Sequence, residues 1–371
     1  MLTITPEMAE AFLLERQFLT TPAADPLDVV RRLGAIQAQY AVNVPVAFFS
    51  RSAAVTSAWV EDALATARTL VKTWCMRGTL HAVASVDLAL FASAIGQNFA
   101  QGMADHWLKH RGHTPESLAH LSQEILDALG DGSLTRSEIH DRIPELATLP
   151  WAGWGQDMKM LVYRGDAVFA TPKDGTTSCF ARRAAWLPHV PFAITDRDDA
   201  LQELLRRYLA SHAPARQIDF AYWTMAGSAR IRAAFKALKP DLIEFKIGGR
   251  DDTFYALAAD EALLLDAPPP RPVNVLPKFD ALMLAHKDKA RHLPASDHKR
   301  VYRPAGQIEA VILLNGHVAA TWRMKQTARA LQVSVEPHRK LKAAEKRGIH
   351  KEFERLAAFY GAPGLTVSDA P

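Results

Sequence analysis

Three times along the chain one order of patterns recurs: a helix, a short helix, another helix, and then a β-rich run broken by a turn signal. The first instance opens with Thr5 as N-cap and Pro6 at the first helical position, continues with a helix starting near Asp25 and Pro26, and closes in the run Leu70 to Val83. The second runs from Pro115 through LTRSEIHDRI and QDMKMLVYRGDAVFA to ARRAAWLP, with Lys173, Asp174 and Gly175 as the turn between strands. The third begins near Thr195, passes through ARQIDFAYWT and GSARIRAAFKAL, and ends in LIEFKIGGRDDTFYAL, where Gly248 and Gly249 mark a hairpin turn. A helix repeats its apolar face every 3.6 residues and a strand every two, so the two patterns are not interchangeable. This order restricts the fold to helical modules each closed by a hairpin, which is the winged-helix arrangement. The expected class is α+β, mainly helical, with tandem winged-helix domains and a C-terminal hairpin and helix region.

The run APPPRP from Ala267 to Pro272 cannot be regular helix or central strand, because proline fixes φ and removes a donor, and it reads as the clearest boundary. Beyond it, Gln307 to Leu314 and His317 to Trp322 alternate around the Asn315-Gly316 turn signal, and a closing helix spans about 339 to 360. The expected domains are a winged-helix-like domain over 1–113, winged-helix domains over 114–192 and 193–266, and a basic hairpin and helix region over 273–371. A chain of 371 residues with 49% hydrophobic content can bury a large core. No run approaches the 18 to 20 uncharged apolar residues of a membrane span, and MLTITPEMAEAF has neither the basic nor the apolar region of a secretory leader. A cytoplasmic monomer is expected. Cys75 and Cys179 are too few for a disulfide scaffold or a Cys-based zinc site and read as buried free thiols.

The net charge of +4 is distributed unevenly. Residues 273–349 hold 15 Lys and Arg against 6 Asp and Glu, leaving the rest of the chain at −5. Such asymmetry points to a polyanion partner, since neutralising phosphates supplies most non-specific affinity for nucleic acid. Winged helices also serve as regulators and adaptors without chemistry, so the modules alone leave that alternative open.

Within LGAIQAQY, Leu33 to Tyr40, two glutamines stand one residue apart, Gln37 and Gln39. A carboxamide cannot deprotonate water but can hold and polarise one, which suits a reaction whose leaving group is already activated. Residues i and i+2 diverge by about 200° on a helix, so both can meet one water only at a helix end or in the turn after it. The helix starting near Asp25 is therefore expected to end around Gln37 to Gln39, helped by Val42, Val44 and Pro45.

The stretch LGAIQAQYAVNVPVAFFSR, then WCMRGTLHAVASVDLALF, VLPKFDALMLAHKDKARHL and GHVAATWRM, resembles the AlkZ-type winged-helix DNA glycosylases over nearly the whole chain. That family carries Gln-x-Gln or Gln-x-Asp at its catalytic motif; the first form stands here, the branch associated with alkylated and crosslinked bases. The resemblance implies Gln37 and Gln39 as catalytic, water-orienting residues, double-stranded DNA carrying alkylated bases as substrate, and no metal or organic cofactor. An N7- or N3-alkylated purine is cationic, so its glycosidic bond is weakened and its departure needs no general acid. What remains is to place water beneath C1′ and favour positive charge on the sugar. Lacking the charge of an aspartate, this motif is expected to work poorly on uncharged bases.

Arg77, Thr79 and His81, which strand alternation would put on one face, are expected to support the glutamines or grip a phosphate, with a structural hydrogen-bond role for Thr79 and His81 equally open, and Arg51 to hold a phosphate or a backbone carbonyl. Asp280 reads as a helix-start or a hairpin partner, and Lys287, Lys289 and Arg291 read as phosphate contacts. His106, His110 and His113 have helical spacing, but no HExxH glutamate or nearby Asp and Cys set completes a metal site. Gly153-Trp154-Gly155 lacks the third glycine of a dinucleotide loop, and neither a Walker motif nor GxSxG is present. Trp151, Trp154, Tyr222 and Trp223 are candidates for base stacking, with core packing the more ordinary use.

Overall fold

Helix starts in this chain are written in short polar signals, and the computed structural model, which describes residues 2–148 and 156–369, has helices where those signals stand. Thr5 Oγ1 accepts the Met8 N–H at 3.2 Å to open α1 (Pro6–Arg16), and Asp25 Oδ1 accepts the Leu27 N–H at 2.9 Å to open α2 (Pro26–Leu33). Capping boxes at Thr114 with Ser117 and at Thr135 with Glu138 start the helices Pro115–Leu129 and Arg136–Arg142. The proline that follows three of these signals loses no bond, because first-turn N–H groups have no partner inside a helix.

The chain packs as two compact units, Met1–Val60 with Leu205–Pro371, and Glu61–Leu204. The segment expected over 1–113 is thus divided between them, and both sides of the proline-rich run fall in one unit. That run is irregular, as its prolines require, but it is pinned: Arg271 donates to the carbonyls of Leu19 (2.7 Å) and Ser50 (2.6 Å) and to Asn274 Oδ1 (2.6 Å).

In the first unit a five-stranded sheet runs in the order Val273–Leu276, Ala310–Leu314, His317–Gln326, Leu331–Pro337, Leu365–Asp369, antiparallel except for its last pair. The turn at Asn315 (φ 49°) and Gly316 (φ 89°) has the two positive φ angles of a tight hairpin. Ala310–Leu314 is buried at every residue and does not alternate, because both its faces are covered. On one face the helix Ala343–Phe359 packs Ile349, Phe353 and Leu356 against Ile312, Trp322 and Val333. On the other, Val311 and Leu313 join Leu13, Leu14 and Leu282. A second, three-stranded sheet joins Leu2–Ile4 in parallel to Leu242–Ile247, which pairs with Phe254–Leu257. The N-terminal strand is too short to carry a period and was not foreseen.

In the second unit the helices Pro115–Leu129, Arg136–Arg142 and Gln156–Arg164 precede an antiparallel pair, Ala167–Ala170 with Cys179–Arg182, and Ser133–Thr135 adds to its edge. Between the pair, Asp174 accepts the Thr176 and Thr177 N–H groups and Gly175 takes φ 77°, so a turn between strands stands where it was expected. Leu121, Ile125, Ile139, Leu161, Phe169 and Phe180 form its core. The hairpin Leu70–Trp74 with Leu80–Ala84 belongs to this unit. Both cysteines are buried and free, and burial pushes the Cys75 thiol up to about 12.

Candidate active site

Helix α2 ends at Leu33, four residues before Gln37, because Gly34 takes φ 77° and ψ −47° and turns the chain away. The stop is this glycine, and the β-branched residues and Pro45 downstream have no part in it. Pro45 instead sits in the first turn of α3 (Asn43–Arg51). Ile36–Gln37 is extended, and Gln39 lies in the bend before α3, beyond the helix end as the pairing geometry requires.

Gln37 is buried at 6% exposure. Its Oε1 accepts two hydrogen bonds, from the Gln39 backbone N–H at 3.1 Å and from Asn43 Nδ2 at 3.0 Å. An amide oxygen has two lone pairs, so both are used and the Gln-Ala-Gln bend is stapled from inside. Gln39 is exposed, and its side chain has no hydrogen-bond partner among the described residues. Tyr40 follows, stacked on Phe279 with centroids 5.9 Å apart, its hydroxyl donating to Gln307 Oε1 at 3.1 Å.

Beside the bend runs an open groove of about 240 Å³ whose lining includes Asn43, Val46, Pro277, Lys278, Trp322 and Arg323. Trp322 is fixed by its Nε1, which donates to the Leu276 carbonyl at 2.9 Å. Three cations gather on the buried Glu309 carboxylate: Lys278 at 3.0 Å, Arg323 at 3.7 Å and Arg303 at 3.9 Å. One carboxylate against three cations leaves this rim positive. The arrangement offers an exposed carboxamide on a fixed bend, an apolar floor and a cationic border.

Other expected residues are placed differently. Arg51 is fully buried, bonds Asp280 through both terminal nitrogens at 2.8 and 2.6 Å and reaches the Ala47 carbonyl at 3.4 Å, the backbone alternative of its two expected uses. Asp280 Oδ1 accepts the Leu282 N–H and caps a helix start as expected. Lys289 Nζ donates to the carbonyls of Met283 (3.2 Å) and His286 (2.5 Å) and lies over the Tyr222 ring, and Arg291 donates to the Pro214 carbonyl at 2.7 Å with burial lowering its pKa. Their charges are spent inside the protein, whereas the Lys287 side chain is exposed. Arg77, Thr79 and His81 belong to the second unit. Arg77 has φ 55° in a tight turn over Met76–Gly78, so the strand alternation that would align it with His81 does not reach it. Thr79 Oγ1 bonds the Met76 carbonyl and His81 Nδ1 bonds the Thr79 carbonyl, and burial holds the His81 imidazole down to about 3. The helix Gln97–His110 ends before His113, so the three histidines do not share a helix face. Trp223 is buried beside Tyr208, and Trp151, Gly153, Trp154 and Gly155 lie outside the described residues. Asn43, Lys278, Arg303, Glu309 and Trp322 were not singled out by sequence reasoning, although Asn43, Lys278 and Trp322 stand in the stretches that carry the family resemblance.

The first unit thus sets an exposed carboxamide on a stapled bend beside a groove bordered by cations, a surface suited to a polyanion. Residues 30–359 match the family described as DNA glycosylase AlkZ-like, and the chain belongs to that family. It is 27% identical over 370 residues, 96% of this chain and 97% of the relative, to the interstrand DNA cross-link repair glycosylase of Streptomyces sahachiroi. It is similar in fold to the solved Streptomyces sahachiroi DNA glycosylase AlkZ, with a TM-score of 0.83 over the whole of both chains at 24% identity. The protein is a DNA glycosylase, a hydrolase whose substrate is DNA, and the reading as a regulator without chemistry is set aside. Among the described residues no helix is long and apolar enough to cross a membrane.

Proposed function

We propose that this glycosylase hydrolyses the N-glycosidic bond of cationic alkylated purines, N7-alkylguanine and N3-alkyladenine, in duplex DNA, with Gln37 and Gln39 as its reacting pair. The observation that carries the reading is the division of labour at the bend: Gln37 Oε1 is saturated by the Gln39 N–H and Asn43, and the Gln39 carboxamide is left exposed. As the C1′–N bond breaks, its electron pair neutralises the departing base and the sugar becomes cationic. Gln39 accepts a hydrogen bond from water whose oxygen then bonds C1′, and the displaced proton goes to solvent. The carboxamide dipole favours the cationic sugar without a full charge, which suits a leaving group already activated.

The named relative repairs interstrand cross-links, and unhooking of such lesions is proposed here as well. A base tied to both strands cannot leave the stack freely, so the enzyme is proposed to probe the backbone rather than extrude the base fully. Arg323 and Lys287 are exposed cations suited to phosphate, and the helix–hairpin segments support a tandem winged-helix reading of the scaffold. A cytoplasmic monomer at work on the nucleoid completes the proposal.

The test is release of N7-methylguanine from duplex DNA, scored by alkali-labile breaks, beside Gln37→Ala and Gln39→Ala. Release by the parent that falls at least a hundredfold in both variants supports the assignment. Undiminished release in either removes that glutamine from the chemistry.

A further inference from the structure

We propose that Asn43 is a positioning residue of this site, acting through Gln37 to decide which carboxamide meets the water; the inference rests on the reading of Gln37 and Gln39 as the reacting pair. Asn43 begins α3 at 1% exposure and lines the groove. Its Nδ2 donates to Gln37 Oε1 at 3.0 Å. The orientation of both amides follows from one fixed donor. The Gln39 backbone N–H can only donate, so the Gln37 atom it meets at 3.1 Å is oxygen, and the Asn43 atom on that same oxygen must be nitrogen.

The consequence is that Gln37 cannot accept a hydrogen bond from a reacting water while Asn43 holds it. The acceptor is then Gln39, whose backbone is fixed by the same staple. A second observation separates this role from simple packing. Asn43 Oδ1 is buried without a hydrogen-bond partner among the described residues. A buried amide oxygen left unpaired is unfavourable, and an apolar side chain of similar size would fill the space without it. What the Asn43 side chain supplies to the site is its donor.

Asn43→Asp tests this, because it keeps size and shape and replaces the donor by an acceptor. At neutral pH two acceptors would face each other, Gln37 would turn its nitrogen toward the new carboxylate, and the Gln39 N–H would lose its partner. As pH falls and the buried carboxyl takes a proton, a donor returns. The expected result is a loss of at least thirtyfold in single-turnover release of N7-methylguanine at pH 8, with at least tenfold recovery by pH 5.5 relative to the parent. Affinity for a duplex holding an abasic site should fall by less than release does, since the added charge stands among the cations of the groove border. Hydrogen exchange at the Gln39 amide, measured without substrate, should accelerate at least tenfold in the variant at pH 8. Unchanged exchange at Gln39 overturns the proposal whatever the activity, as does a loss of release that pH does not restore. A parent protein that releases no base, with exchange at Gln39 responding as expected, would instead sink the substrate assignment and leave the positioning role in place.

Discussion

Deleting the Gln37 carboxamide and deleting the Gln39 carboxamide are different physical events, even if both abolish base release. Without Gln37 Oε1, the Asn43 Nδ2 and the Gln39 N–H lose their acceptor in a buried setting. Leaving buried donors unpaired costs about 1–3 kcal/mol. Gln39 is exposed and unpartnered, and surface changes of that kind stay within about 0.5 kcal/mol. Gln37→Ala is therefore expected to lower the melting temperature by several degrees and Gln39→Ala to leave it unchanged, as read by calorimetry. Equal melting temperatures would show that the staple is not present in solution. The pair's place beyond a helix end was legible, because two carboxamides one residue apart can serve one water only off a helix. Asn43 was not, since nothing in a linear pattern says that a side chain six residues on reaches back. The charged residues show the same limit: Lys289 and Arg291 read as phosphate contacts and Arg51 as a holder of a phosphate or a backbone carbonyl, and the fold uses all three on internal acceptors.

One glycine sets where the reactive bend falls. At φ 77° and ψ −47°, Gly34 occupies a conformation that an L side chain adopts at a cost of about 1–2 kcal/mol. Gly34→Ala is expected to destabilise by that amount and to slow base release by more than the loss of folded protein explains, because Gln37 and Gln39 follow directly from the turn. Release per folded molecule equal to the parent's would separate the turn from the chemistry. In the hairpin of Leu70–Trp74 and Leu80–Ala84, His81 has its pKa depressed to about 3 by burial, below its value of 6.5 in the unfolded chain. The unfolded state thus binds a proton first. The contribution is complete above pH 6.5 and is lost progressively as pH falls toward 3. Melting temperatures followed from pH 7 to 4 should decline less steeply in His81→Gln, and parallel slopes would contradict the buried neutral imidazole. The first two helix starts were legible because Thr5 and Asp25 cap them with local atoms. Strands were less so. Leu331–Pro337 and Leu365–Asp369 join one sheet only through the intervening helix Ala343–Phe359, a pairing that depends on distant partners.

At the scale of the whole chain, the charge surplus of residues 273–349 measures what is available for DNA only after internal uses are removed. Lys289 and Arg291 count toward that surplus but are committed to carbonyls, while Arg323 keeps a side chain 66% exposed and Lys287 is exposed. Counterion release gives each neutralised phosphate a contribution of about −0.9 to the slope of log affinity against log salt. Arg323→Ala and Lys287→Ala are each expected to reduce the magnitude of that slope by about one. Lys289→Ala and Arg291→Ala should leave it unchanged and lower the melting temperature instead, since they remove internal hydrogen bonds. Titrations of a fluorescent duplex between 50 and 300 mM salt read the two classes apart. Equal slopes in all four variants would mean that the DNA track avoids the 273–349 region, and the uneven charge would then have to be explained by solubility alone.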